Sequence, residues 1–372
     1  MISITGKALS GEWGTDDETG KGIPVLRTTN FTNYGVIDYR NVVTRSIAKK
    51  KLEEKYLRPG DIIIEKSRGS DKQPVGRVVY FEGPANTYLF NNFTGLLRVK
   101  NADIWIPKYV FYSLYANYRQ GGTIRYERRT TGLHNLQTDN YVSSFDVREA
   151  SAQKQAEICK QLDEICQIIT LRQREVRILD KLIKARFVEM FGTIKNHPDD
   201  CKIVSIENVC SLIKDGTHQT PQYTDDKEHG YKFLSSKDVM TEKIDWSDIK
   251  YIPAELHERL YSTIQPQRND ILMSKNGVHY GVAAVNDTDE VFDIYVSLAL
   301  LRPLDIINPV YFRCAINNQE TQQQFRSRIK GIGVPNLHLG EIKKTLILLP
   351  PMERQKKFVA FAAQVDKSKF EE

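Results

Sequence analysis

Two sets of polar side chains stand beside short apolar runs, and their chemistry suits contacts with nucleic acid. Arginine and lysine can donate to guanine edges, asparagine can bond adenine, and hydroxyls suit bases or phosphates. Nearby glycines would let the backbone approach a ligand closely. We predict a DNA-binding surface made of Arg27, Thr28, Asn30, Lys66, Ser67 and Arg68 in the first half, and of Lys214, Thr217, His218, Ser235, Lys237, Lys275 and Asn276 in the second.

The two sets recur because the chain repeats itself. Residues 59–66 (PGDIIIEK) match residues 268–275 (RNDILMSK), and residues 23–26 match residues 231–234, at an offset of about 208 residues. Further along, Gln155 stands opposite Gln355. Two similar modules indicate a pseudo-two-fold object, which suits a target with two separated parts such as duplex DNA.

Composition is compatible with this interpretation but does not require it. The 372 residues allow two domains of ordinary size, and the net charge of +6 suits a polyanionic partner. No apolar run is long enough to span a bilayer, and the N-terminus does not resemble a secretory signal. Five cysteines in no disulfide or zinc spacing favour a reducing compartment, so we expect a cytoplasmic protein.

The elements that must position these residues begin with one long helix. Apolar side chains at a and d heptad positions predict a coiled-coil helix over residues 147–192, with Ser151 as its N-cap and Gly192 at its end. A second helix over residues 351–372 should pair with it antiparallel, and any remaining seam needs another protein or a second copy of the chain. The predicted docking residues are Ile158, Leu162, Ile165, Ile169, Val176, Leu179, Ile183, Phe358 and Val365.

The expected fold class is α+β, with two similar mixed α/β domains over residues 1–146 and 193–350, in pseudo-two-fold arrangement and separated by long antiparallel coiled-coil helices. Strands are predicted within each domain, and a helix is predicted over residues 309–329 with a counterpart over residues 108–118.

Catalytic and metal-binding patterns are weak. Residues 308–311 (NPVY) resemble a methyltransferase loop, but no glycine-rich strand–turn–helix precedes them, and a helix start with Asn308 as cap explains them better. Glu341 and Lys343 have nuclease-like spacing but lack an acidic partner on a neighbouring predicted strand. His218 and His229 flank two aspartates, where a solvated loop is more plausible than a metal site. We therefore predict no catalytic residue, no metal and no cofactor.

Several segments together resemble the specificity subunit of type I restriction–modification systems. The order, the duplication and the two helical regions are more specific than any single motif. The segments are GEWG at 11–14, RTTNF at 27–31, GDII at 60–63, FVEMFG at 187–192, DGTH at 215–218, FLSSKDV at 233–239, NDIL at 269–272 and LPPMERQ at 349–355.

The resemblance implies that each half is a target-recognition domain for one half of a bipartite, asymmetric DNA site. The helices would act as a spacer and as the dock for two methyltransferase subunits, and restriction endonuclease subunits can join that assembly. Such a subunit is not an enzyme, because the partners bind the methyl donor and ATP. The distal helix is shorter than in many members of the family. The main alternative is a stand-alone DNA-binding regulator or coiled-coil scaffold built on the same repeat.

Overall fold

The computed structural model describes residues 1–48, 52–70, 73–130, 133–329 and 335–369. The chain forms two compact units, Met1–Thr170 and Leu171–Glu372, called unit 1 and unit 2 below. The division falls inside the long helix rather than at its ends, because each end of that helix packs against the core of its own unit. Ile158 and Cys159 contact the apolar core of unit 1, whereas Ile183, Phe187 and Phe191 belong to the core of unit 2.

Unit 1 is a mixture of short strands and helices. Its strands are β1 (Leu9–Ser10), β2 (Thr15–Asp16), β3 (Ile23–Leu26), β4 (Val43–Ser46), β5 (Ile62–Glu65), β6 (Ser67–Gly69), β7 (Val78–Tyr80), β8 (Leu89–Phe90), β9 (Thr94–Leu97), β10 (Glu127–Thr130) and β11 (Leu133–Leu136). Its helices are α1 (Ile2–Thr5), α2 (Pro107–Arg119), α3 (Thr138–Ser144) and the first part of α4 (Ala152–Phe191).

The strands of unit 1 form three sheets, ordered β1-β9-β5-β7, β2-β4-β3-β8 and β10-β11-β6. The central strand β5 is buried along its whole length, and its residues alternate between two apolar clusters. Its neighbours β7 and β9 run antiparallel to it, whereas β3 and β8 pair in parallel.

Unit 2 follows the same plan. Its strands are β12 (Lys202–Ser205), β13 (Cys210–Asp215), β14 (Tyr231–Leu234), β15 (Lys250–Ile252), β16 (Ile271–Ser274), β17 (Ala283–Val285), β18 (Phe292–Ile294), β19 (Leu298–Pro303) and β20 (Leu346–Leu349). Its helices are α5 (Ala254–Tyr261), α6 (Pro309–Asn317), α7 (Gln319–Arg328), α8 (Leu339–Lys343), α9 (Met352–Ser368) and the last part of α4.

Two sheets of unit 2 repeat the strand order of two sheets of unit 1, and the sheet β12-β20 has no counterpart among the described sheets of unit 1. Strand order β13-β19-β16-β17 matches β1-β9-β5-β7, and order β15-β14-β18 matches β4-β3-β8. The parallel pair β3–β8 has its counterpart in the parallel pair β14–β18. The α+β class and the duplication predicted from the sequence are therefore seen within the two units.

Most predicted elements are present, with one clear exception. The helix predicted over residues 309–329 is broken at Asn318, whose backbone is extended and whose side chain accepts from the N–H of Glu320. Asparagine at this position caps α7, so two helices replace one. The N-cap roles predicted for Ser151 and Asn308 are confirmed, and Gly192 ends α4 with φ of 75°.

The end of α4 and α9 pack against each other in unit 2. Lys369 Nζ lies 2.6 Å from Asp180, and Arg354 bonds the carbonyl oxygen of Met190 near the opposite end of α9, so the two segments run antiparallel. The ring of Phe358 lies 5.4 Å from Phe187 between centroids. These contacts agree with the predicted antiparallel pairing over this segment, and the coiled-coil arrangement as a whole stays a prediction. Residues 370–372 of the predicted distal helix lie outside the described residues.

Candidate nucleic-acid interface

A buried arginine–aspartate pair sits at the same place in both units. Asp61 accepts from Arg98 at 2.7 and 2.6 Å and is 2% exposed, and Asp270 accepts from Arg302 at 2.9 and 2.8 Å and is 1% exposed. Each carboxylate also accepts from the backbone N–H three residues before it. Each arginine bonds a backbone carbonyl in the loop before that strand. The start of β5 and the start of β16 are thus fixed by the same network.

A buried glutamine performs the same role near the end of each module. The side-chain oxygen of Gln155 and of Gln355 accepts from a backbone N–H just before α2 or α6. The side-chain nitrogen donates to two backbone carbonyls, which anchors the helix to the module. The partners are Ile106 (2.9 Å), Ile104 (2.9 Å) and Ala150 (2.8 Å) in unit 1, and Asn308 (2.7 Å), Ile306 (3.1 Å) and Pro350 (2.9 Å) in unit 2.

This common frame holds the two predicted lysine segments in equivalent positions. The backbone N–H of Lys66 donates to Phe93 at 2.8 Å, and that of Lys275 donates to Ser297 at 2.9 Å. The carbonyl of Lys66 accepts from Leu136, as that of Lys275 does from Leu337, both at 2.8 Å. The predicted segments therefore leave β5 and β16 along the same path.

The turns after β3 and β14 are structural. Asn30 is buried and its side-chain oxygen accepts from the N–H of Arg27 at 3.0 Å, while Asp238 accepts from Ser235 at 2.7 Å. Thr28 is also buried, and its carbonyl accepts from Arg77 at 3.2 Å. These residues shape the turns from inside, so Thr28 and Asn30 are not placed to touch a ligand directly.

In unit 1 the predicted residues differ widely in exposure. Ser67 is buried and donates to Asn135 at 2.5 Å, whereas Arg68 beside it is exposed. Lys66 is half-buried, and its ammonium lies 3.2 Å from the hydroxyl of Ser10. Burial lowers the pKa of Lys66. Arg27 is half-buried and donates to the carbonyl of Asn41.

In unit 2 the predicted residues cluster around one ion pair. Lys275 is buried and lies 2.6 Å from Asp215, which also lies 3.3 Å from His218. Burial alone would raise the pKa of Asp215, but the bond from Lys275 and the charges of Lys275 and His218 outweigh it and lower that pKa. Lys275 is therefore enclosed by its ion pair, and His218 presents the exposed side of the cluster.

The remaining predicted residues of unit 2 lie around this cluster. Lys214 is exposed and donates to the carbonyl of Thr263 at 3.1 Å. Lys237 is exposed and contacts Asp248 at 3.1 Å, and Thr217 pairs with Tyr295 through a backbone bridge. Asn276 pairs with Asn336, and its buried side-chain oxygen has no hydrogen-bond partner among the described residues.

Sequence reasoning missed a basic sheet in unit 1. Strand β10 carries Arg128 opposite Asn135 of β11, and Asn135 in turn pairs with Ser67 of β6. Arg125 and Arg128 are exposed. The pairing of Ser67 with Asn135 has a counterpart in the bridge between Asn276 and Asn336, whereas β10 has none among the described residues of unit 2, so its arginines do not recur in both halves. The charge of the segment Arg125-Tyr126-Glu127-Arg128-Arg129 was the available signal.

The predicted docking residues on the helices divide into two groups. Ile183, Phe358 and Val365 are buried in the core of unit 2, and Leu179 packs against that core. Ile158 packs against the core of unit 1. Leu162 and Val176 are half-buried. Ile165 and Ile169 are 51% and 44% exposed, so the predicted docking residues that stay most exposed lie on the middle of α4.

The described residues contain no group of three or more His, Cys, Asp or Glu side chains arranged to hold a metal ion. The two histidines considered as ligands each pair with a single aspartate, His218 with Asp215 and His229 with Asp226 at 2.9 Å. Residues 308–311 are a helix start, since Asn308 accepts from the N–H of Val310 and of Tyr311. Across the described ranges, no helix combines the length and apolarity needed to cross a membrane.

Several solved structures are similar to this chain. A chain from a type I R-M system, solved in work on complex assembly and conformational transition, is 16% identical with a TM-score of 0.51, over 98% of this chain and 88% of its own. The HsdS subunit from Thermoanaerobacter tengcongensis is 15% identical with a TM-score of 0.38, over 98% of this chain and 87% of its own. The type I restriction-modification S subunit from M. genitalium is 12% identical with a TM-score of 0.48, over 99% and 88%.

Only the first of these structures, with a TM-score of 0.51, is similar enough for a comparison of folds. At 16% identity that similarity concerns the fold alone. No curated protein sequence matches the chain. Residues 198–372 match the family described as the type I restriction modification DNA specificity domain. That range covers most of unit 2, and unit 1 repeats two of its sheet orders and its hydrogen bonds around Asp270 and Gln355. The similarity to the type I restriction modification DNA specificity domain therefore lies in residues 198–372, and unit 1 shares strand order with that region.

Proposed function

We propose that this chain is the DNA-recognition subunit of a type I restriction-modification complex, in which each unit contacts one half of a bipartite, asymmetric site. The observation that carries the proposal is that the two units share a buried network but differ in their exposed side chains. The buried network around Asp61 and Asp270 is common to both, whereas the side chains on the segments it supports differ. One frame with two sets of contact residues is what recognition of two different half-sites requires.

The exposed cations would supply most of the affinity. Contacts from Arg68 in unit 1 and from Lys214, His218 and Lys237 in unit 2 would bind phosphates or base edges, and phosphate contacts make binding fall steeply with salt. The buried members of the predicted set, such as Ser67 and Lys275, would act by holding the exposed ones in place. Without its partners the chain should bind DNA weakly.

The helices are the proposed site for partner enzymes. Ile165 and Ile169 leave apolar surface on the middle of α4, and such surface on a helix requires a partner. We assign this surface to two methyltransferase subunits, with restriction subunits joining that assembly. The methyl donor and ATP would be bound by those partners, and this chain would contribute position rather than catalysis. A stand-alone regulator would instead need no partner for specific binding.

Selection of duplexes from a random pool would test the proposal. We expect the chain, mixed with its methyltransferase, to select a motif of two defined blocks separated by an undefined gap. Replacing both Lys214 and His218 by alanine should weaken or alter one block only. Lys202→Ala, on the exposed edge of β12, is the matched control and should leave both blocks unchanged.

Three results would contradict this proposal. A single undivided motif would exclude reading by two modules. A change in both blocks from the unit 2 variant would exclude independent modules. Equally specific binding by the chain alone and by the chain with a methyltransferase would favour the stand-alone regulator.

A further inference from the structure

Arg68 has a backbone conformation that arginine rarely adopts. Its φ is +91°, in the left-handed region that favours glycine. The equivalent residue of unit 2, two positions after Lys275 as Arg68 is two after Lys66, is Gly277 with φ of +90°. The common frame therefore imposes this conformation at one position in both units, and only unit 1 places a large side chain there.

The strain coincides with a β-bulge. On β11 the adjacent residues His134 and Asn135 face Gly69 and Ser67 of β6, so Arg68 between them is the extra residue. Bulges of this kind re-aim the side chain of the bulged residue and favour glycine where φ is positive. Arg68 accordingly projects from the basic sheet β10-β11-β6 as an exposed side chain.

Contacts among the described residues do not offset the strain of this backbone conformation. A non-glycine residue is strained in such a backbone region, because its side chain crowds the backbone. Among the described residues, the recorded interaction of the Arg68 side chain is stacking over Phe93 at 5.5 Å, and Phe93 is itself 37% exposed. An exposed cation–π contact stabilises the structure less than this strain destabilises it. The arginine is therefore placed for a ligand outside the chain rather than for the fold.

We propose that Arg68 is a specificity-determining residue of unit 1 that bonds the O6 and N7 edge of a guanine; the proposal rests on the proposed function above. A phosphate contact needs only a charge within reach, which a flexible lysine on an unstrained backbone provides. Bidentate bonding to a base needs a planar fork held in one orientation. The bulge and the Phe93 ring restrict the guanidinium in that way.

The chemistry around Arg68 is consistent with base contact. Arg128 on the neighbouring strand β10 is exposed, and its side chain also suits a guanine edge. In unit 2 the corresponding loop offers Gly277 followed by Val278, which is 82% exposed and carries no hydrogen-bonding side chain. The two units thus present different chemistry at one position of a shared frame.

The test is duplex selection with the full chain and its methyltransferase, comparing wild type with Arg68→Gly. We expect Arg68→Gly to lose the preference for guanine at one position of one block and to bind the wild-type site about 10- to 100-fold more weakly. The same variant removes the strained backbone, so its thermal unfolding midpoint should be unchanged or higher by about 2–4 °C. Loss of recognition without loss of stability separates this role from a structural one.

Two further variants complete the design. Arg68→Lys keeps the charge but not the fork, and it should also lose the guanine preference. Asn86→Gly replaces another non-glycine residue at a positive φ, of 59°, in the loop between β7 and β8, and it should leave the selected motif unchanged.

Each other outcome overturns the assignment. Full preference retained in Arg68→Lys, with Arg68→Gly weakening all sequences equally and lowering the salt dependence, would indicate a phosphate contact. An unchanged motif in Arg68→Gly, or a wild-type motif without guanine in either block, would reject the assignment while the proposed function stands. A wild-type chain that selects no motif would reject both.

Discussion

Units 1 and 2 share their buried polar network and differ in the polar groups that surround the segments after β5 and β16. In unit 1, Glu65 forms a buried ion pair with Arg77 at 2.7 Å, and Arg77 also donates to the carbonyls of Thr28 and Phe31. In unit 2, the equivalent of Glu65 is Ser274, whose hydroxyl donates to His279 and accepts from Val282. Different chemistry thus supports the same backbone course.

The comparison teaches which interactions define the module. The arginine–aspartate pair and the glutamine repeat with the same donors and acceptors, because each satisfies several buried backbone groups at once. The polar groups that lie farther along the segments vary, since they face the loops rather than the core. Stability should therefore respond alike in the two units at the shared positions, and binding should respond differently at the variable ones.

The largest expected effect is at the shared ion pair. Asp61→Asn and Asp270→Asn each leave an arginine without its buried partner, and each should lower the free energy of unfolding by about 3 kcal/mol. We expect the two losses to agree closely. Denaturant unfolding, with hydrogen exchange to assign the loss to residues 1–170 or 171–372, would measure them.

Matched controls exist at equivalent exposed positions. Asp103 and Asp305 lie on the loops before α2 and α6 and are both exposed. Replacing either by asparagine should change the unfolding free energy by less than about 0.5 kcal/mol. A large effect at Asp61 with almost none at Asp270 would show that the two networks do not have equivalent roles.

The second effect concerns the buried glutamines. Gln155→Ala and Gln355→Ala each leave one backbone N–H and two carbonyls without a partner, which should cost about 2 kcal/mol of unfolding free energy. The exposed glutamines Gln161 on α4 and Gln364 on α9 provide controls that should change little. Thermal or denaturant unfolding would measure these changes. If a buried variant and its exposed control had the same free energy of unfolding, the buried glutamines would not stabilise the shared frame.

Sequence repetition found these positions but not their roles. The match of Gln155 with Gln355 is visible in the sequence, whereas their partners lie about 50 residues away and depend on the tertiary fold. Lys275 is predicted from the sequence to contact DNA, yet in the structure it is buried against Asp215. The local sequence pattern does not reveal this burial, because the partner lies 60 residues away. Apolar runs, in contrast, located β5 and β16 well, since burial on both faces leaves a direct signal.

The backbone at Arg68 was equally hidden. Arginine gives no indication of a positive φ, and the position becomes notable only when β6 and β11 are paired with a bulge and compared with Gly277. The break at Asn318 is a milder case, because asparagine within a helical run can either continue the helix or cap a new one.

A smaller, pH-dependent effect should distinguish the two lysine segments. The lowered pKa of Asp215 means that the folded state favours its ionised form over protonation. Its stabilising contribution is therefore present above the usual value of about 3.8 and is lost as the pH falls through the lower folded pKa. The wild-type chain should be more stable than Asp215→Asn at pH 6, and the difference should shrink below pH ~4. Denaturant unfolding from pH 6 to pH 2.5 would follow it.

Unit 1 offers the control for this titration. Lys66 contacts the hydroxyl of Ser10, which does not ionise in this range. The stability difference between wild type and Ser10→Ala should therefore stay constant with pH. A difference for Asp215→Asn that is equally constant would show that the ion pair with Lys275 contributes nothing measurable.

The smallest effect is expected where the units exchange glycine for asparagine. Gly60 has φ of 98° and Asn269 has φ of 74° at the position before the shared aspartate. A Cβ at Gly60 would meet Pro107 at 3.6 Å, an ordinary contact, and asparagine tolerates positive φ better than most residues. Gly60→Asn and Asn269→Gly should each change the unfolding free energy by less than about 1 kcal/mol.

Gly60→Val should cost about 1–2 kcal/mol, because the left-handed region crowds a side chain at Cβ. If Gly60→Asn were as costly as Gly60→Val in denaturant unfolding, the backbone before β5 would need glycine itself, and the equivalence of the two frames would end one residue before Asp61.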